Sequence, residues 1–142
     1  MTTVHASRAK GLLAAFADPV RLRLLNLLHD GETCVGDLVA VIRLPQPTVS
    51  RHLAVLRRAG LVSARRQGLW MFYSLQRAEG AVHARLLSCL ACCADEVPEL
   101  EQDLRRSRKR REAGGCCPLH EGEACGPVRR GQARRRAARC GC

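Results

Sequence analysis

A mainly α-helical fold with one small β-hairpin is predicted by two observations. Apolar residues recur at three- and four-residue intervals through most of the first hundred positions, the period of helices buried along one face. The pattern breaks at LVSARR and LWMFYSL, short runs on either side of Gln67-Gly68, as in two strands joined by a glycine turn. With 142 residues the chain makes one domain, residues 1–112, and a tail, residues 113–142. Aromatics are 3% of the chain, so the core is aliphatic and rings for stacking single-stranded nucleic acid are lacking.

The first helix, residues 7–17, turns Leu12, Leu13 and Phe16 inward. Asp18 before Pro19 caps a second helix with proline in its first turn, and Val20, Leu24, Leu27 and Leu28 form its inner face before Gly31. Thr33 is the expected cap of a third, shorter helix with Val35, Leu38, Val39 and Ile42 inward. After Leu44-Pro45, a fourth helix carries Val49, Leu53 and Leu56 at i, i+4 and i+7, leaving Thr48, Arg51 and Arg58 outside, and stops at Gly60. A short helix, a tight turn and a helix with a polar outer face make a helix-turn-helix, and the hairpin after Gly60 makes a wing; the predicted fold is a winged helix-turn-helix. Arg65 and Arg66 are expected at the wing tip, within reach of phosphates or a minor groove, or as solvated turn residues.

The net charge of +11 points to a polyanionic partner, and its excess lies in residues 1–80 and in the tail. No leader pattern or membrane-length apolar run is present, so a cytoplasmic protein without a membrane partner is expected. No nucleophile, base and orienting group, phosphate-cradling loop or open metal site is apparent, and an enzyme is not expected.

The segments DPVRLRLLNLL, ETCVGDL, LPQPTVSRHLAVLRRAGLV and GLWMFYSL, in this order across roughly residues 8–95, resemble the ArsR/SmtB family of metal-responsive transcriptional repressors. The resemblance implies a homodimer that binds double-stranded operator DNA and is released by its inducer. It places DNA contacts at Gln46, Thr48, Ser50 and Arg51, with His52 beside them as a contact or a packed residue. Thr48 and Arg51 also face outward in the helical reading.

Nine cysteines without a secretion signal favour metal or redox chemistry over a disulfide framework. Val82, Leu86, Cys89, Cys93, Val97, Leu100 and Leu104 form a helical seam, interrupted where Pro98 ends or restarts the helix. In CLACC, Cys89, Cys92 and Cys93 fall on one side of that helix. Three thiolates without a set of histidines and carboxylates suit a soft, three-coordinate ion, and arsenite or antimonite is the expected inducer, with cadmium, lead or a cysteine-based redox signal as alternatives. Cys89 and Cys93 as small buried hydrophobes are the structural alternative. In the family's CVCDL box this chain reads Cys34-Val35-Gly36-Asp37-Leu38, so Cys34 is a remnant, a packed residue or a supplementary ligand. The tail is expected to be a disordered basic arm whose Cys116 and Cys117, with His120 and Cys125, form a second, weaker metal candidate.

Overall fold

A computed structural model describes residues 2–115. Six helices and a small sheet follow in the order α1 (Thr2–Phe16), α2 (Pro19–His29), β1 (Thr33–Cys34), α3 (Val35–Ile42), α4 (Gln46–Arg58), β2 (Val62–Gln67), β3 (Trp70–Leu75), α5 (Ala81–Glu96) and α6 (Pro98–Glu112). The last described helix ends at Glu112, and residues 116–142 of the expected tail lie outside the described residues.

Burial follows the leucine pattern most closely in α2, where Leu24, Leu25, Leu27 and Leu28 are all buried. Its N-terminus is set by Asp18, in extended conformation, whose side chain accepts from the backbone N–H groups of Val20 and Arg21. Against α2 pack Leu38, Val41 and Ile42 of α3, and Val49, Leu53 and Leu56 of α4. Each α4 stripe residue is 0% exposed, the outcome expected of an amphipathic helix with one apolar face. Between α3 and α4, Arg43 adopts the left-handed conformation at φ 60° and its N–H donates to Val39 O at 2.9 Å. A non-glycine residue there is uncommon, and nothing in the residue type announces it.

The sheet is antiparallel in the order β1-β3-β2. Its hairpin turn is Gly68-Leu69, between Gln67 and Trp70. Gly68 has φ +60°, which a two-residue hairpin loop requires at its first position. The register pairs Arg65 with Phe72 and Arg66 with Met71, so both arginines stand in the strand and Leu69, 90% exposed, occupies the tip.

Three sequence expectations are corrected. Leu13 faces out at 54% exposure, because α1 turns Leu12 and Ala15 into the core instead. Thr33 does not cap α3; it is extended, pairs with Tyr73 across β1 and β3, and donates its hydroxyl to Gly31 O at 3.0 Å. The third strand it starts satisfies backbone groups that β3 would otherwise leave on an open edge. The seam also does not bury one continuous line: beyond the break expected at Pro98, Leu100 and Leu104 of α6 enter this protomer's own core, whereas on α5 the buried positions are His83 and Leu90 and not Val82, Cys89 or Cys93.

Beside Leu100 and Leu104, α6 is tied to the rest of the protomer by ion pairs. Its Asp103, 0% exposed, accepts from Arg23 of α2 through Nε at 2.7 Å and Nη2 at 2.9 Å, and also from Arg106. Further along, Arg108 and Arg111 bind Asp30, and Arg110 binds Asp37. The hydrogen bonds to Asp103 raise the Arg23 pKa against the opposing effect of burial. Breaking a buried pair from one side leaves the other charge unmatched. Asp103→Ala is therefore expected to cost about 3 kcal/mol, seen as a lower urea midpoint with the cooperative transition retained.

Candidate nucleic-acid interface and thiol site

With Val49, Leu53 and Leu56 buried, the opposite face of α4 is presented to solvent. Gln46 and Arg51 are exposed, Thr48 and Ser50 are half-buried, and Ala54, Arg57 and Arg58 continue the open face toward the C-terminus. Arg51 Nη2 donates to Thr48 Oγ1 at 3.3 Å, holding the guanidinium along the helix surface. His52 is placed differently from its neighbour. It is half-buried, and its Nδ1 lies 3.7 Å from the Asp18 carboxylate at the start of α2.

Asp18 is thus both a helix cap and a neighbour of the reading helix, the contact being ionic when His52 carries a proton. Burial pulls its pKa up, but the N–H and guanidinium of Arg21, the His52 charge and the Val20 N–H outweigh that effect and hold the carboxyl below its ordinary value.

On the wing, Arg65 is committed to the protein. Its guanidinium forms an ion pair with Glu32, with Nε 2.9 Å and 3.0 Å from the two carboxylate oxygens, donates through Nη1 to Gln67 at 2.7 Å, and stacks 4.5 Å from the Phe72 ring centroid. This fastens the wing to the segment before β1, and the carboxylate offsets the positive charge that a phosphate would meet. Arg66 is exposed, with its Nε donating to Gly68 O at 3.2 Å. The sequence expectation of two arginines at the tip is corrected by the register: Arg65 is a brace, and Arg66 is the more available cation.

The thiols divide between two places. On α5, Cys89 is exposed and Cys93 half-buried, their sulfurs 4.0 Å apart. Burial, the contact with the Cys89 thiol and the charges of Cys89 and Glu96 push the Cys93 thiol above its ordinary pKa, so it is protonated near neutrality. Cys92 is disulfide-bonded, whereas Cys89 and Cys93 carry free thiols. The expected trio of free thiols is therefore not assembled in this state, and among the described residues no three His, Cys, Asp or Glu side chains gather into a metal-holding group. Cys34 is buried beside Phe72 and Trp70, and its thiol donates to Asp37 at 3.4 Å. Cys116, Cys117, His120 and Cys125 lie outside the described residues.

The bacterial regulatory protein family named arsR matches residues 18–64, from the α2 cap through the start of the wing. The arsenical resistance operon repressor of Escherichia coli is 34% identical over 108 residues, covering 75% of this chain and 92% of that protein. The chain belongs to the ArsR family. Among solved ArsR-type relatives, reduced HlyU from Vibrio cholerae superposes with a TM-score of 0.56 at 37% identity, covering 65% of this chain and 94% of that one. The homodimeric winged helix-turn-helix domain of Mb0332 from Mycobacterium bovis gives 0.57 at 31% identity, covering 69% and 88%. This ArsR-family chain is accordingly a transcriptional regulator with a winged helix-turn-helix, and no helix among its described residues is long and apolar enough to cross a membrane.

Two residues that shape the interface escaped sequence reading. Glu32 reaches Arg65 across 33 positions, a distance at which local pattern carries no signal. Asp18 was legible as a cap, but its partnership with α4 depends on how two helices cross. Because the Asp18 pKa is depressed by folding, its ionic contribution is complete above the ordinary carboxylate range and is lost as pH falls through the depressed value. Asp18→Asn keeps a good cap, so it is expected to lower stability by about 1 kcal/mol at pH 7. In paired thermal melts at descending pH, the gap between wild type and variant should close once the wild-type carboxyl protonates.

Proposed function

We propose that this chain is a thiol-responsive transcriptional repressor that binds operator DNA as a homodimer and releases it when trivalent arsenic or antimony engages Cys89, Cys92 and Cys93. The observation that carries the reading is the Cys89 and Cys93 sulfur pair at 4.0 Å on the outer side of α5, with Cys92 beside it, in an ArsR-family chain. Cys92 supplies the third thiolate only after thiol–disulfide exchange with an external dithiol, which takes up the disulfide as it gives the two electrons. Pyramidal three-sulfur coordination then draws the last turns of α5 together, and a soft ion is favoured because no carboxylate or imidazole set competes among the described residues. The similarity to a repressor of arsenical resistance supports the same choice.

In this reading Gln46, Thr48, Ser50 and Arg51 face the major groove, and Arg66 meets phosphate from the wing. Homodimerisation is supported by Val4 and Leu13 of α1 and Val82 of α5, all exposed apolar residues on helices that touch one another, and by the homodimeric Mb0332 domain. Two copies related by a two-fold axis present their α4 helices to half-sites about one DNA turn apart. Linkage requires the inducer to bind the free dimer more tightly than the DNA-bound one; a coupling of about 1 to 3 kcal/mol changes operator affinity roughly 5- to 150-fold.

A second reading is favoured by the Cys92 disulfide: the switch is oxidation of these thiols rather than capture of a metalloid. Fluorescence anisotropy of an operator duplex separates the two. Pre-reduced protein is expected to release DNA on titration with arsenite or antimonite, and the triple serine variant at 89, 92 and 93 to lose at least about tenfold of that response. Release by peroxide but not by arsenite, cadmium or lead would establish the redox switch. An arsenite response intact in the triple variant would place the sensor elsewhere.

A further inference from the structure

Three helices meet at Asp18. Its Oδ1 accepts from Val20 N at 2.9 Å and Arg21 N at 3.0 Å, closing the first turn of α2. Arg21 turns back to the end of α1, donating from Nε to Ala15 O at 2.8 Å and from Nη2 to Ala14 O at 3.0 Å, with Nη1 3.7 Å from Asp18 Oδ2. The third participant comes from the reading helix: His52 Nδ1 stands 3.7 Å from Asp18 Oδ1, with the imidazole side chain 21% exposed.

The position of His52 on α4 gives this contact a mechanical meaning. Val49, Leu53 and Leu56 form one narrow line, and a single line of apolar contacts resists sliding better than it resists rolling about the helix axis. His52 lies about 100° around from Leu53, so its contact with Asp18, made at ion-pair rather than hydrogen-bond distance, acts off the line and opposes roll. A small roll would sweep Gln46, Thr48 and Arg51 across the groove floor, and a misplacement of this kind weakens hydrogen bonds whose geometry is narrow.

We propose that His52 is a positioning residue for DNA recognition: it acts through Asp18, setting the roll of α4, and does not itself touch DNA. This rests on the reading of α4 as the DNA-contacting helix. Arg51, one residue along and fully outward, belongs to the contacting set; His52 faces the body of the protomer.

The experiment uses the full chain and a labelled duplex that wild-type protein has selected from random-sequence DNA. Affinity is measured over a range of KCl concentrations for wild type, H52L, D18N and the double variant, with thermal melts confirming that each is folded. H52L and D18N are each expected to weaken binding about fivefold and the double variant by about the same factor, since residues in one interaction are not additive. H52N, whose amide nitrogen falls near the Nδ1 position, should rescue affinity to within about twofold of wild type. The slope of log affinity against log salt should stay at the wild-type value in every variant, because no phosphate contact is removed. A slope reduced by about 1 in H52L would identify a phosphate contact and overturn the proposal, as would a double variant weakened by the product of the single effects. If H52L fails to fold, H52Q takes its place, keeping a polar side chain without an atom at Nδ1. Wild-type protein that selects no DNA would overturn the reading of α4 and this inference together; selection by wild type followed by additive effects overturns this inference alone.

Discussion

Complete burial of Val49, Leu53 and Leu56 is the constraint on which the output end of this protein depends. Once those three side chains are inside, helical periodicity leaves no freedom over which residues face outward, and Gln46 and Arg51 are exposed as a consequence of what their neighbours bury. The partners of that stripe are equally determined. The leucines of α2 offer an aliphatic surface with almost no aromatic content, and aliphatic side chains bury area without imposing a preferred ring geometry. Polar contacts at the margin therefore have room to decide orientation, and Asp18, placed where α1, α2 and α4 converge, stands at that margin.

A different balance governs the C-terminal half. On α6 two leucines enter the core, the Asn26 amide of α2 donates to Leu100 O at 3.1 Å, and ion pairs run from Asp103, Arg108, Arg110 and Arg111 to α2 and the segment around α3. The basic run in the second half of α6 is thus largely matched within the protomer, Arg105, Arg106, Arg108, Arg110 and Arg111 each meeting a carboxylate. Preceding it, α5 keeps Leu90 and His83 inside and turns Cys89 outward. In the proposed switch this division matters: the thiols sit on the surface where a second copy would pack, while the reverse side of the same helix rests on the core that supports α4. A contraction among the sulfurs would then be transmitted by packed side chains rather than by a flexible linker.

What could be read from residues alone was whatever is encoded within one or two helical turns. Asp18-Pro19 marked the start of α2, Gly68 marked the hairpin, Pro98 marked the break between α5 and α6, and the stripe of α4 named its own outer face; each is a local steric or hydrogen-bonding preference that holds before the chain folds. The order of these elements was enough to reveal the winged helix-turn-helix. Arg65, His52, Leu13 and Thr33 were decided by tertiary structure. Each has a side chain or backbone with two locally acceptable fates, and the choice came from a partner distant in sequence: Glu32 and Phe72 for Arg65, Asp18 for His52, Tyr73 for Thr33, and for Leu13 the side of α1 that met the core. Local patterns fix which way a helix or strand prefers to face, because periodicity is a property of the backbone; pairings between elements depend on crossing angles and register, which exist only once the elements have packed.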